Sequence, residues 1–188
     1  MKKFSAKEIL IPTISLFLIC SVVTLLLAVT NSVTAPKIAE LQIETEKKKK
    51  AAVLSDAASF SDSKTITYEG VEYTYYEGYD NDKNIVGYVF TTSAKGYGGD
   101  IITMVGIKAD GTVAGMDFLS ISETAGLGMN ADTDDFKNQF VGKSGEIGVN
   151  KNTSSDTEIQ ALTGATITSK AVTQAVNTAL ILFEEVNG

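Results

Sequence analysis

From residue 9 to residue 30 the chain is apolar almost without interruption, ILIPTISLFLICSVVTLLLAVT, and no charge falls between Glu8 and Lys37. At 1.5 Å per residue about 20 residues cross the hydrocarbon core of a bilayer, so the run predicts a transmembrane helix over 9–30. Pro12 sits near its start, where a helix tolerates proline best. A cleaved signal peptide competes with this reading, and SVTAP loosely resembles a cleavage site. The apolar core of a signal peptide usually runs roughly 7–15 residues, however, so a retained anchor is preferred. Cys20 follows Ile19, where a lipoprotein signal would want a small residue, and it reads as a plain buried thiol. After the span, TAPKIAELQIETEKKKKAAVL predicts a helical stalk over 31–59 with Pro36 in its first turn.

From about residue 60 the pattern changes to β-branched and aromatic residues alternating with polar ones. KTITYEGVEYTYYEGYD predicts a hairpin turning near Gly70, and NIVGYVFTTSA a strand over Ile85 to Thr92. The strands Ile101 to Lys108 and Thr112 to Ser120 flank Asp110-Gly111, a strong hairpin turn signal. TDDFKNQFVGK predicts a short helix with Thr133 or Asp134 as N-cap. Over Lys170 to Val186, the residues Val172, Val176, Ala179, Leu180 and Phe183 share one helical face. The expected fold is α+β: an N-terminal single transmembrane helix and stalk, then a twisted antiparallel sheet with packed helices.

Charge adds an orientation. Lys2, Lys3 and Lys7 precede the span, whereas Lys37 stands alone among Glu40, Glu44 and Glu46. The positive-inside rule therefore puts residues 1–8 in the cytoplasm and the domain over 60–188 outside it, on a cell membrane. The run Lys47 to Lys50 reads as a solvated or headgroup-facing helix surface. With 188 residues and a formal net charge of −7, the chain lacks the basic surface that nucleic-acid binding requires. It has no His and one Cys, which excludes Ser-His and Cys-His catalysis, imidazole metal sites and a protein-held iron–sulfur cluster. Any redox chemistry has to come from a bound organic cofactor or from a partner.

Three segments carry candidate chemistry. SAKGYGGDI, residues 93–101, has three glycines in four positions and reads equally as a plain loop or as a close backbone approach to a ligand. Tyr97 within it suits either a flat ring or the core. SETAGLGMN, residues 122–130, follows a strand end and presents Glu123 and Thr124; on pattern alone it reads first as a surface turn. ALTGATITSKAV, residues 161–172, crowds Thr163, Thr166, Thr168 and Ser169 around Gly164-Ala165 just before the last helix. Thr168 or Ser169 is expected to cap that helix, and its start is expected to suit a phosphate.

In combination, AKGYGGDI, ADGTVAGM, SETAGLG, FKNQFVGK and LTGATITSKAV, together with the anchor ILIPTISLFLIC, resemble the G subunit of the Rnf ion-translocating oxidoreductase complex. They are similar, more distantly, to the C subunit of the Na⁺-translocating NADH:quinone reductase. The resemblance implies an FMN-binding domain over 60–188 and covalent FMN, its phosphate esterified to Thr166 by a separate flavin transferase outside the cytoplasm. It implies a flavin electron carrier within a complex that couples ferredoxin–NAD electron transfer to Na⁺ or H⁺ transport. Partners would be the other membrane subunits of the complex and the lipid bilayer. Thr163, Gly164, Ala165 and Thr168 are then expected around the phosphate, Leu127 and Met129 as an apolar wall, and Glu123, Thr124 and Gly128 as polar contacts. One position departs: related sequences usually carry Asp six residues before the modified Thr, and Gln160 stands there. An anchored scaffold domain without flavin, favoured by Gln160, and a stand-alone extracytoplasmic flavin carrier are the competing expectations.

Overall fold

The computed structural model describes residues 6–187. Lys2 and Lys3, on which the orientation argument draws, lie outside the described residues. The chain divides into two compact units, Met1–Thr45 and Glu46–Gly188. The described part of the first unit is helix α1, Ala6–Val53, which runs on into the second. A segment of this helix is long and apolar enough to cross a membrane by length and composition, and Cys20 is exposed on it. Pro36 does not begin a separate helix as expected, because α1 continues through it. Proline removes a single N–H donor, the one that would serve the Ser32 carbonyl, and the helix runs on past it.

The second unit is built on an antiparallel sheet of six strands: β1 (Ser59–Phe60), β2 (Lys64–Tyr68), β3 (Val71–Tyr79), β4 (Ile85–Lys95), β5 (Asp100–Lys108) and β6 (Val113–Ser120). The order is β1-β3-β4-β5-β6, with β2 also paired to β3. The expected turns hold. Glu69-Gly70 closes β2–β3 with both residues at positive φ, 49° and 79°, as a two-residue hairpin turn demands. Asp110 Oδ1 accepts from the Thr112 N–H at 2.9 Å and fixes the β5–β6 turn. The strand over Ile85 runs on to Lys95, three residues beyond Thr92.

Alternation sends the sheet's side chains to two cores. Phe90, Val105, Ile107 and Phe118 face helix α3 (Thr166–Asn187) through Val172, Val176, Ala179 and Leu182. Phe183, expected in that stripe, packs against this core while partly exposed. Val89, Met104 and Tyr76 face the other way and cover Val53 and Leu54 at the end of α1. A furrow of glycines receives that turn. Gly78 pairs with Gly87, and Gly106 with Gly115, across adjacent strands. A Cβ on Gly106 would overlap the Val53 carbonyl oxygen, and one on Gly78 would lie 2.6 Å from Leu54 Cδ2.

This docking corrects the reading of the lysine run. Lys49 and Lys50 are not headgroup-facing; they turn onto the sheet. The Lys49 ammonium pairs with Asp117 at 3.2 Å and donates to the Phe118 carbonyl. The Lys50 ammonium sits 3.6 Å from the Tyr76 ring centroid, and the Tyr76 hydroxyl donates to Glu46 at 2.6 Å. Burial, followed by that bond to Glu46, pushes the Tyr76 phenol well above its usual 10.0. Asp117 also accepts from Lys137, at 3.2 Å, on helix α2 (Asp134–Lys137). Thr133 occupies the N-cap position of α2, but its hydroxyl donates to the Asn130 carbonyl instead of capping. A short parallel ladder, β7 (Gly148–Asn150) with β8 (Glu158–Gln160), completes the unit and leads into α3.

Candidate functional site

The three chemistry-bearing segments meet in space. A cleft of about 510 Å³ is lined by Tyr97 from the β4–β5 loop, by Glu123, Thr124, Leu127 and Gly128 from the loop after β6, and by Gly164 to Thr168 at the start of α3. This volume lies within the range of small-molecule and cofactor sites, about 300–1,000 Å³.

The floor is made by the chain's approach to α3. Leu162 to Ala165 form a tight turn, closed by the Ala165 N–H to the Leu162 carbonyl at 3.0 Å, with Gly164 at φ 76°. That is the glycine position of a type II turn. A Cβ on Gly164 would also approach Leu127 Cδ2 to 3.1 Å. The helix starts at Thr166, four residues earlier than the apolar stripe alone indicates. Thr166 is therefore the first residue of α3, half-buried and facing the cleft. The first helical bond is the Ser169 N–H to the Ala165 carbonyl, at 3.0 Å. Among the described residues no acceptor meets the N–H groups of Thr166, Ile167 and Thr168. Three open donors at the positive end of a 22-residue helix are what a phosphate requires.

Neither expected cap of α3 acts as one. The Ser169 hydroxyl, buried, accepts from the Leu162 N–H (2.9 Å) and donates to the Ala165 carbonyl (3.0 Å), which locks the turn from inside. The Thr168 hydroxyl, also buried, donates to Glu123 Oε2 at 3.0 Å. These side chains lie within the helix rather than before it, so they serve the turn and the neighbouring loop.

Glu123 is the connecting residue. Its Oε1 accepts from the Tyr97 N–H (2.8 Å) and the Gly98 N–H (3.1 Å), while Oε2 takes the Thr168 hydroxyl. Gly128 is buried directly against this arrangement, where a Cβ would lie 2.6 Å from Glu123 Oε2 and 2.7 Å from Thr168 Oγ1. The open walls are apolar: Tyr97 is 72% exposed, Ile167 56% and Leu127 44%.

The expected residues thus separate. Thr124, Leu127, Gly128, Gly164, Ala165, Thr166 and Thr168 all line the cleft, as does Glu123. Thr163 does not; it is exposed at the outer corner of the turn. Met129 does not line the cleft either, because the chain coils into a 3₁₀ turn from Gly128 to Asp132. Ile167 belongs to the cleft wall and is not among the expected residues; only a helix beginning at Thr166 places it there. Gln160 lies outside the cleft lining. Its N–H donates to Gln139 Oε1 (2.7 Å) and its side chain to the Asn152 carbonyl (3.1 Å). Among the described residues no group of His, Cys, Asp and Glu is arranged to hold a metal ion.

This donor set fits FMN. Unmet N–H groups and the Thr166 hydroxyl suit its phosphate, the small floor at Gly164 and Ala165 leaves the backbone open, and the apolar rim suits a flat aromatic ring.

Residues 96–181 match the FMN-binding domain family, and residues 1–53 match the RnfG N-terminal region. The chain is 38% identical to the G subunit of the Na⁺-translocating ferredoxin:NAD⁺ oxidoreductase complex of Acetobacterium woodii, over 92% of this chain and 90% of that one. It is 35% identical to the G subunit of the proton-translocating ferredoxin:NAD⁺ oxidoreductase complex of Clostridium ljungdahlii, over 89% and 88%. Among solved structures it is similar to the C subunit of the Na⁺-translocating NADH-quinone reductase of Parabacteroides distasonis. That likeness has a TM-score of 0.50 and 25% identity, over 58% of this chain and 59% of that one. NqrC of Shewanella oneidensis, at 18% identity and a TM-score of 0.52 over 67% and 66%, shares the fold.

Proposed function

Since the chain belongs to the family of Rnf complex G subunits and carries its FMN-binding domain, we propose that it is a membrane-anchored subunit that relays electrons through FMN joined covalently to Thr166. The observation that carries this reading is the position of that hydroxyl. Thr166 opens α3 beside three unmet N–H groups, in a cleft of about 510 Å³. FMN supplies the redox chemistry that these side chains lack.

The chain's own residues bind and orient. The Thr166 oxygen is the point of attachment to the phosphate, and the N–H groups of Thr166, Ile167 and Thr168 stabilise the anion left on it. Leu127, Ile167 and Tyr97 give the ring an apolar surface while leaving the cleft open to solvent and to a redox partner. Gly164 keeps the floor low under Leu127. Gln160 lies outside the cleft, so the departure at this position bears on recognition by the flavin transferase rather than on the flavin's seat.

The span over 9–30 anchors the chain, and the basic N-terminus orients the domain over 60–188 outside the cytoplasm. The apolar run carries no charge, so ion passage belongs to partner subunits of the complex. The assignment to a complex that couples ferredoxin–NAD electron transfer to Na⁺ or H⁺ transport rests on the relatives.

The test is the full chain produced in membranes with and without an exported flavin transferase, followed by in-gel flavin fluorescence and intact mass. The native chain is expected to gain one flavin phosphoryl group only with the exported enzyme, which also reports the side on which the domain lies. Thr166→Ala is expected to gain none. Fluorescence persisting in Thr166→Ala would move the attachment to Thr163 or Thr168. A native chain left bare by an active transferase rejects the flavin reading.

A further inference from the structure

The carboxylate of Glu123 lines the cleft, yet both its oxygens are engaged by protein donors. Oε1 holds the Tyr97 and Gly98 N–H groups, and Oε2 holds the Thr168 hydroxyl. These donors come from two segments that touch the cleft from opposite sides in sequence, one about 25 residues before Glu123 and one 45 after. The backbone around the carboxylate leaves no slack. A Cβ on Gly96 would overlap Oε1, a Cβ on Gly98 would overlap the Ser122 carbonyl, and a Cβ on Gly128 would crowd Oε2 and Thr168 Oγ1. Gly96 and Gly128 are therefore explained by the passage of one side chain, and Gly98 by the close approach of the Ser122 carbonyl, without a ligand.

We propose that Glu123 is a positioning residue that assembles the cleft: it ties the Tyr97-Gly98 loop to the first turn of α3, and it acts as a hydrogen-bond acceptor rather than through its charge. Without it, two backbone donors and one hydroxyl lose a shared acceptor, and the loop carrying Tyr97 is released from the helix that carries Thr166. The Thr168 hydroxyl accordingly belongs to the tie, and only the N–H of this residue is left for the phosphate. The consequence for flavin attachment rests on the reading of Thr166 given above; the tie itself does not.

The acceptor geometry makes a specific demand on substitutions. Glu123→Gln keeps the length and one oxygen for the two N–H groups, and its amide can donate to Thr168, whose hydroxyl also accepts. Glu123→Ala removes the tie, and Glu123→Asp is one methylene too short to span both sides. Amide hydrogen exchange on the full-length protein in detergent reads the loop directly. In Glu123→Ala the Tyr97 and Gly98 amides are expected to exchange roughly ten- to hundredfold faster, with β5 and β6 unchanged, and flavin loading is expected to fall. Glu123→Gln is expected to keep both native exchange and native loading. If Glu123→Ala does not fold, Glu123→Asp carries the same expectation. Unchanged protection of Tyr97 and Gly98 in the folded variant overturns the tie. A Glu123→Gln chain as impaired as Glu123→Ala overturns the claim that acceptance, not charge, is what the position supplies. Because exchange is measured with or without flavin, a native chain that carries none at Thr166 sinks the cofactor reading and leaves this test standing.

Discussion

At the scale of single residues, Asp117 shows how the unit concentrates its electrostatics where helix meets sheet. Burial raises its carboxyl pKa, but the Phe118 N–H, Lys49 and Lys137 together outweigh that and hold it below the usual 3.8. A carboxyl depressed in the folded state stabilises that state at any pH above its unfolded value. The contribution then fades as pH falls from about 3.9 through the folded value. Asp117→Asn is therefore expected to lower the unfolding free energy at pH 7 by about 1–3 kcal/mol, since the Lys49 ammonium loses its carboxylate while Lys137 keeps only Asp132 and Asp134. Its loss of stability below pH 4 is expected to be shallower than that of the native chain. Urea titrations of both proteins between pH 3 and pH 7 test this, and parallel pH profiles would show that Asp117 is not the group responsible. Charge counting along the sequence finds Lys49 and Asp117 but cannot pair them, because their meeting depends on the docking of α1 across β6.

At the scale of elements, the strands were readable because period-2 alternation and two tight turns agree with each other. The β2–β3 and β5–β6 hairpins lie where Glu69-Gly70 and Asp110-Gly111 put them. The end of α1 was not readable. KKKKAAVL resembles any solvated helix, and what fixes it is a furrow made by glycines on four different strands. Each of those glycines, met singly in a strand, signals only a weak point or a bulge. Gly106 is the decisive one, since its missing Cβ leaves room for the Val53 carbonyl. Gly106→Ala is expected to displace Val53 and Leu54 and to cost about 1–3 kcal/mol as an overpacked core, visible as a lower melting temperature. Gly99→Ala, which meets open space, is the control and should melt close to the native chain. Equal melting of the two variants would mean that the α1 turn does not need the furrow. The candidate site divides in the same way. The LTGATITSKAV segment was legible because hydroxyls cluster around two small residues, whereas the start of α3 at Thr166 was not. Thr166, Ile167 and Thr168 look like poor helix formers, and tertiary packing of Thr168 and Ser169 overrides that propensity. Glu123 was legible as a polar turn residue but not as a tie, because its three donors are remote in sequence.

At the scale of the whole molecule, the second unit begins at Glu46, ahead of the change in composition near residue 60. The physical reason is that Val53 and Leu54 cover one face of the sheet. Val89, Met104 and Tyr76 bury Val53 and Leu54, which are 2% and 0% exposed. Losing two such side chains exposes apolar surface worth about 1.5–3 kcal/mol each, before the Lys49–Asp117 pair and the Glu46–Tyr76 bond are counted. The sheet domain should therefore not be separable at residue 60. A fragment over 46–188 is expected to melt in one cooperative transition, and a fragment over 60–188 at least about 10 °C lower. The α3 face, with the cleft and its Glu123 tie, is common to both fragments, so amide exchange at Tyr97 and Gly98 should stay slow in each below its own transition. If the two fragments melt together, the last turns of α1 are only a connector. If the shorter one melts earlier while its loop remains protected, the sheet holds two cores that can be weakened one at a time: one that seats the last turn of α1 and one that shapes the cleft at the start of α3.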